Sequence, residues 1–146
     1  MQITITTAAN LVGASRRTMR RRIGETMDGM VDLETVRPQL AIEAEDALIL
    51  GADRGDPAAQ TEVAVQLLQA NQPDAAVYWL QKAATRSTEA MHHLSRCYLE
   101  GVGVALDMHI GMMWLHRAAA GGHAIAKAQA DRLLAGAVGG AGQSRS

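Results

Sequence analysis

The chain has no phenylalanine, only three prolines, and four aromatic residues of other kinds in 146 positions. A composition low in proline and rich in Ala, Leu, Met and Gln favours an all-α protein. The single cysteine, Cys97, excludes an intrachain disulfide and fits a reducing compartment. No long apolar run is present. The longest, Ala75 to Leu80, is far too short to span a bilayer, so no membrane partner is expected. No signal peptide opens the chain either, since Met1 to Ile5 alternates polar and apolar residues and the arginines follow the first apolar stretch. A soluble, cytoplasmic protein of one domain or two small ones is the expectation.

Neither sign of charge dominates, with 14 basic against 15 acidic residues, yet the distribution is uneven. Residues 1 to 42 hold six arginines against four acids, a net of +2, and the remainder holds eight basic against eleven acidic residues, a net of −3. Five arginines (Arg16, Arg17, Arg20, Arg21, Arg22) crowd into one helix of about two turns, and a local cluster matters more to a phosphate than the overall balance of −1.

The pattern around those arginines is that of a small helical unit. Thr6 or Thr7 is placed to cap a helix running to Val12, whose apolar face is Ala8, Ala9, Leu11 and Val12. Gly13 ends it, and Ser15 caps a second helix in which Met19 and Ile23, four apart, face the same core. The arginines fall on its other sides, free to pair with guanine edges or phosphate oxygens. Asp28-Gly29, between Met27 and Met30-Val31, signals a hairpin, and Leu33, Val36 and Leu40 close the miniature core ahead of a break at Pro38.

Thr6, Ala8, Ala9, Leu11, Gly13, Ser15, Arg16, Arg17, Thr18, Met19 and Ile23 stand where the winged helix-turn-helix of MerR-like and excisionase-like families has its pattern. Residues 1–40 resemble that unit. The resemblance implies double-stranded DNA as a partner, a recognition helix comprising Ser15, Arg16, Arg17, Thr18, Arg20, Arg21 and Arg22, and a wing at Asp28 and Gly29.

The rest of the chain repeats itself. Tyr78-Trp79-Leu80-Gln81-Lys82-Ala83-Ala84 returns as Met113-Trp114-Leu115-His116-Arg117-Ala118-Ala119, an offset of 35 residues. Ala90, Leu94, Cys97 and Tyr98 match Ala126, Ala130, Leu133 and Leu134 at an offset of 36, and Ala59, Val63 and Leu67 match the first set 31 residues earlier. The spacing puts each set on one helical face, so each repeat reads as two antiparallel helices. Tyr98, Gly101-Val102-Gly103-Val104, Asp107, Trp114-Leu115, Ala118-Ala119 and Gly122-His123 through Ala126 resemble the Sel-one-like repeat, a relative of the tetratricopeptide repeat. That resemblance implies a short α-solenoid over residues 41–136, with a half repeat, two repeats and a capping helix, and with a protein or peptide partner on its surface. Gln69, His92, His93 and Arg96 flank the packed stripe of the first helix of each pair and are the expected partner-binding positions. Trp79 and Trp114 read as core fillers, as do Met108, Met112 and Met113. Residues 137–146 read as a flexible tail.

No catalytic constellation is visible, and no cofactor is expected. His93 and Cys97 are spaced i, i+4 and could supply two zinc ligands, but suitable third and fourth ligands are missing. The expected fold is thus mainly α, a winged helix-turn-helix followed by an α-solenoid. The leading functional expectation is a DNA-binding regulator or DNA-associated adaptor, with homodimerisation to span two half-sites. The alternative is a protein-interaction adaptor with no role on DNA.

Overall fold

The computed structural model describes the backbone of residues 1–23 and 28–143, and side chains as far as residue 136. The protein is mainly helical, with a small two-stranded sheet. Strand β1 (Gln2–Thr4) leads directly into α1 (Ile5–Val12), and α2 (Arg16–Ile23), β2 (Met30–Asp32) and α3 (Leu33–Val36) follow, closed by a 3-10 turn at Arg37–Gln39. Then come α4 (Asp46–Asp53), α5 (Pro57–Gln69), α6 (Pro73–Ala83), α7 (Thr88–Glu100), α8 (Met108–Ala120) and α9 (Ala124–Gln143).

The first helix begins two residues earlier than its sequence suggests, and its cap is neither Thr6 nor Thr7. Thr4, the last residue of β1, accepts the Thr7 N–H at 3.1 Å through its hydroxyl oxygen. Gly13 ends α1 in the left-handed region at φ 74°, and the Ser15 hydroxyl accepts the Thr18 N–H at 3.1 Å. Met19 points into the core and is fully buried. Strand β2 pairs antiparallel with β1, Ile3 opposite Val31 and both buried. Asp28 and Gly29, the expected wing, form the turn that enters β2, whose partner among the described residues is β1; Met27, on the other side of that turn, lies outside the described residues. The reason is local, because the Gly29 carbonyl accepts the Ile5 N–H and the Asp28 carboxylate accepts the Met30 N–H, steering the chain onto the edge of β1. Leu33 and Val36 are fully buried, and Leu40 is half-buried against the same core.

The repeats form by pairing of α5 with α6 and of α7 with α8, flanked by α4 and α9. Each start is encoded. Pro57 occupies the first turn of α5 behind an Asp56 cap, Pro73 the first turn of α6, Ser87 caps α7 through the Ala90 N–H, and Asp107 caps α8 through the Ile110 N–H. The repeating stripes are the core: Val63, Leu67, Ala90, Leu94, Leu80 and Leu115 are fully buried. Glycine is required at position 103, where φ is 72° and a Cβ would sit 2.5 Å from the Pro73 carbonyl oxygen and 2.9 Å from Val77. The loop after α7 therefore folds down on the start of α6.

Three expectations about this half need correction. Trp79 is fully buried as expected, whereas Trp114 packs against the core but is only partly buried, with Arg117 stacked over its ring at 5.2 Å. Met108 and Met113 are exposed rather than core residues. The cause is shared, since α8 has a neighbouring pair on one flank only. Residues 137–143 extend α9 instead of forming a tail, against the low helix propensity of Gly136, Gly139, Gly140 and Gly142, while Ser144 to Ser146 lie outside the described residues.

The two halves share one apolar core that runs without a break from Ile3 to Cys97. Helix α1 packs on α6, and β1 on α4. At the seam, the Asp53 carboxylate at the end of α4 accepts hydrogen bonds from the Thr4 backbone N–H at 3.1 Å, the Thr4 hydroxyl at 2.8 Å and the Thr7 hydroxyl. The junction after the 3-10 turn is pinned as well, because Arg37 pairs with Asp46 and donates to the Ala44 carbonyl at 3.2 Å.

Replacing Asp53 by Ala leaves three polar groups without their charged acceptor. The expected loss is about 2–3 kcal/mol of unfolding free energy in urea titration. Met19→Ala, which opens a cavity in the same continuous core, is expected to cost about 2–5 kcal/mol. Both variants should unfold in one transition; a separate early transition for residues 1–40 would contradict the shared core.

Candidate functional site

The first helices of the two repeats, α5 and α7, lie side by side and present matching stripes to solvent. Between them is an open hollow of about 350 Å³, lined by Val65, Leu68 and Gln69 from α5, His93, Arg96, Cys97 and Glu100 from α7, and Val102 from the loop beyond. Its floor is apolar and its rim polar. At the rim, Arg96 Nε lies 3.8 Å from Glu100 Oε1 and His93 Nε2 lies 3.8 Å from Glu89 Oε1, each one helical turn apart.

Burial fixes the protonation of two groups that line the hollow. The His93 imidazole is pushed below the usual value of 6.5, first by desolvation and then, against the pull of Glu89, by Arg96 and His123, so it faces the hollow uncharged at neutral pH. Burial raises the Cys97 thiol, which keeps it protonated and poorly nucleophilic. Among the described residues no group of three or more His, Cys, Asp or Glu side chains is arranged to hold a metal ion.

Gln69, His93 and Arg96, three of the four expected partner positions, meet at this hollow. The fourth does not. His92 is only 8% exposed, stacked on the His123 ring at 4.8 Å, with Nε2 3.3 Å from Gln129 Oε1 on α9. A solenoid helix packs on two flanks, and α7 accordingly buries Ala90, Leu94 and Cys97 toward one neighbour and His92 and Ser95 toward another. His123 has a task the sequence reading missed: its Nδ1 accepts the Ala126 N–H at 3.1 Å, so the imidazole caps α9. Val65, Leu68, Val102 and Glu100 were missed too. Extending the 31-residue repeat offset beyond the core stripe would have found some of them, since it aligns Val65 with Arg96 and Gln69 with Glu100.

A second surface is α2. With Met19 buried and Ile23 half-buried, Arg16, Arg17, Arg20, Arg21 and Arg22 are all exposed, as is Ser15, while Thr18 is half-buried. Arg22 Nη1 is 3.4 Å from Gln39 Oε1. Asp28 is exposed and Gly29 half-buried at the entrance to β2.

Residues 57–87 and 88–123 each match the Sel1 repeat family, and the two matches coincide with the pairs α5–α6 and α7–α8. No curated protein matches the chain, and no solved structure does. Residues 57–123 thus match two Sel1 repeats, which indicate a helical-repeat region of the kind used for protein–protein interaction. Among the described residues no helix is long and apolar enough to cross a membrane.

Two outcomes follow from this geometry. Arg96 is half-exposed and off the packed stripe, so Arg96→Glu is expected to leave far-UV circular dichroism and the melting temperature within a degree or two of wild type, as exposed ion pairs contribute little. Unfolding would show that the two faces of α7 are assigned wrongly. The pH response has a definite sign. His92 and His93 both have folded pKa values below 6.5, for His92 through desolvation first and then through His123, His93 and Arg96, partly offset by Gln129. The folded state binds fewer protons than the unfolded chain, so stability is full above about pH 6.5 and falls as pH drops below it. Melting temperature should decline from about pH 7 to 5.5, and less steeply in His92→Gln.

Proposed function

We propose that the protein is a non-enzymatic adaptor that binds a segment of a partner protein in the groove between α5 and α7. One observation carries this reading: the first helices of two successive Sel1 repeats together line an open hollow with an apolar floor and a hydrogen-bonding rim. Such a floor takes up an aliphatic side chain, and the rim groups orient the backbone that carries it. The buried, protonated thiol of Cys97 and the uncharged His93 supply shape and polarity here, with no activated nucleophile among them. A cytoplasmic setting belongs to the same proposal, supported by a lone cysteine kept as a thiol.

The test is a comparison of wild type with Val65→Arg, which fills the hollow from a half-buried position without touching the packed stripe. Partners recovered by crosslinking with wild type are expected to be reduced about tenfold or more with the variant, at equal helical content. Equal recovery would remove the groove from the function.

A second reading is favoured by the placement of the arginines. All five of α2 face solvent behind a Gly13 turn and a Ser15 cap, the arrangement in which a helix docks in a major groove and pairs with guanine edges or phosphates. In this reading the chain is a DNA-associated adaptor, dimeric where two half-sites are read. Arg17→Ala with Arg20→Ala should weaken binding to duplex DNA and flatten its salt dependence in a gel-shift series. Unchanged affinity at low salt would reject DNA as a partner. The full chain is the right material, because residues 1–40 share their core with α4 and α6.

A further inference from the structure

The groove between α5 and α7 continues past Gln69. That residue also borders a second hollow of about 420 Å³, formed with Ala41, Ile42, Glu43, Glu62 and Gln66. Ile42 and Glu43 in turn border a third, formed with Arg37, Leu40 and Glu45. Shared lining residues set the three hollows side by side, as a channel that we trace from the junction segment before α4, along α5, to the space between the two repeats.

The two ends differ in chemistry. The inner end has the apolar floor of Val65, Leu68 and Val102. The outer end is acidic, and its charge is not neutralised from within. Of the two guanidiniums lining the channel, Arg37 is held by Asp46 and Glu34 and Arg96 by Glu100. Exposed Glu43, Glu45 and Glu62 make no ion pair among the described residues; Glu62 accepts only a 3.3 Å hydrogen bond from Gln66. Carboxylates of one sign along a groove with apolar walls concentrate their field in it, drawing in cations and repelling anions. Length adds a constraint. Glu62 and Leu68 are six residues apart on one helix, about 9 Å along its axis, which is the span of about three extended residues.

We propose that the channel selects an extended partner segment in which an aliphatic residue seats on Val65, Leu68 and Val102 and a lysine or arginine three or four positions away meets Glu62 and Glu43. Segments with acidic residues there are rejected. This specificity rests on the groove reading above and adds to it the sign, spacing and direction of the ligand.

The experiment begins with selection from a random dodecapeptide phage library on the full-length protein. Selected peptides are then measured by fluorescence anisotropy against wild type, Val65→Arg, and Glu43→Lys with Glu62→Lys. Enrichment of Lys or Arg three or four positions from Leu, Ile or Val is expected, with affinity falling about tenfold or more in the charge-reversed protein and also as salt rises from about 50 to 300 mM. Should the double reversal lower helical content, Glu43→Gln with Glu62→Gln replaces it, and a loss of about threefold or more is expected. Selected peptides that depend on Val65 but carry neutral or acidic residues at that spacing would overturn the charge selectivity and leave the groove standing. Peptides indifferent to Val65→Arg, or no binders at all, would overturn both.

Discussion

A helical pair with apolar residues on both flanks cannot bury them alone, and the whole molecule is organised by which flanks find a neighbour. Helix α7 finds one on each side and buries two distinct sets of residues. Among the described residues helix α9 has a neighbour on one side only. Its Ala126 and Ala130 are buried, but Leu133 and Leu134, which repeat Cys97 and Tyr98, are 45% and 66% exposed. At the opposite end the role of neighbour falls to the amino-terminal unit, whose α1 lies on α6 and whose threonines are tied to Asp53. The unit with the arginines is therefore part of the scaffold, whatever else it touches.

This arrangement separates two surfaces of opposite charge in a chain whose net charge is close to zero. Helix α2 is strongly basic because Met19 takes the inward position and the arginines have no other place to go. The channel along α5 is acidic because its own guanidiniums are held by local carboxylates, leaving Glu43, Glu45 and Glu62 as the residual charge. Each surface would repel the other's ligand, so two partners of opposite sign could be held by one chain without competing.

Much of this was legible in the sequence because it rests on local rules. Gly13, Ser15, Pro57, Pro73 and Asp107 each mark an element boundary through backbone chemistry that needs no tertiary information. Met19, Val63, Leu67, Ala90 and Leu94 follow from helical periodicity, and the repeat offset located both helix pairs. What failed depended on neighbours distant in the chain. Periodicity identifies one apolar stripe, so the second buried flank of α7, and with it His92, was read as surface. Trp114 was read as core because its copy Trp79 is core, and among the described residues it packs against that core but is only partly buried. The Asp28-Gly29 turn was recognised, but which strand β2 would join was not, since Gln2–Thr4 lies more than twenty residues away. The acidic channel joins a junction segment to two repeats, and no window of sequence contains it.

The unequal flanks have a consequence for the order in which the molecule opens. In a stack whose stability is a sum of neighbour terms, a helix held on one side exchanges its amide protons sooner than one held on both. Protection should therefore grade along the chain, weakest in α9, whose amino-terminal cap is a single imidazole nitrogen, and strongest across α5 to α7, where apolar contact extends in both directions. The groove lies in the slowly opening part. A ligand seated there meets walls already in place, while the carboxy-terminal helix can loosen and re-dock without disturbing it.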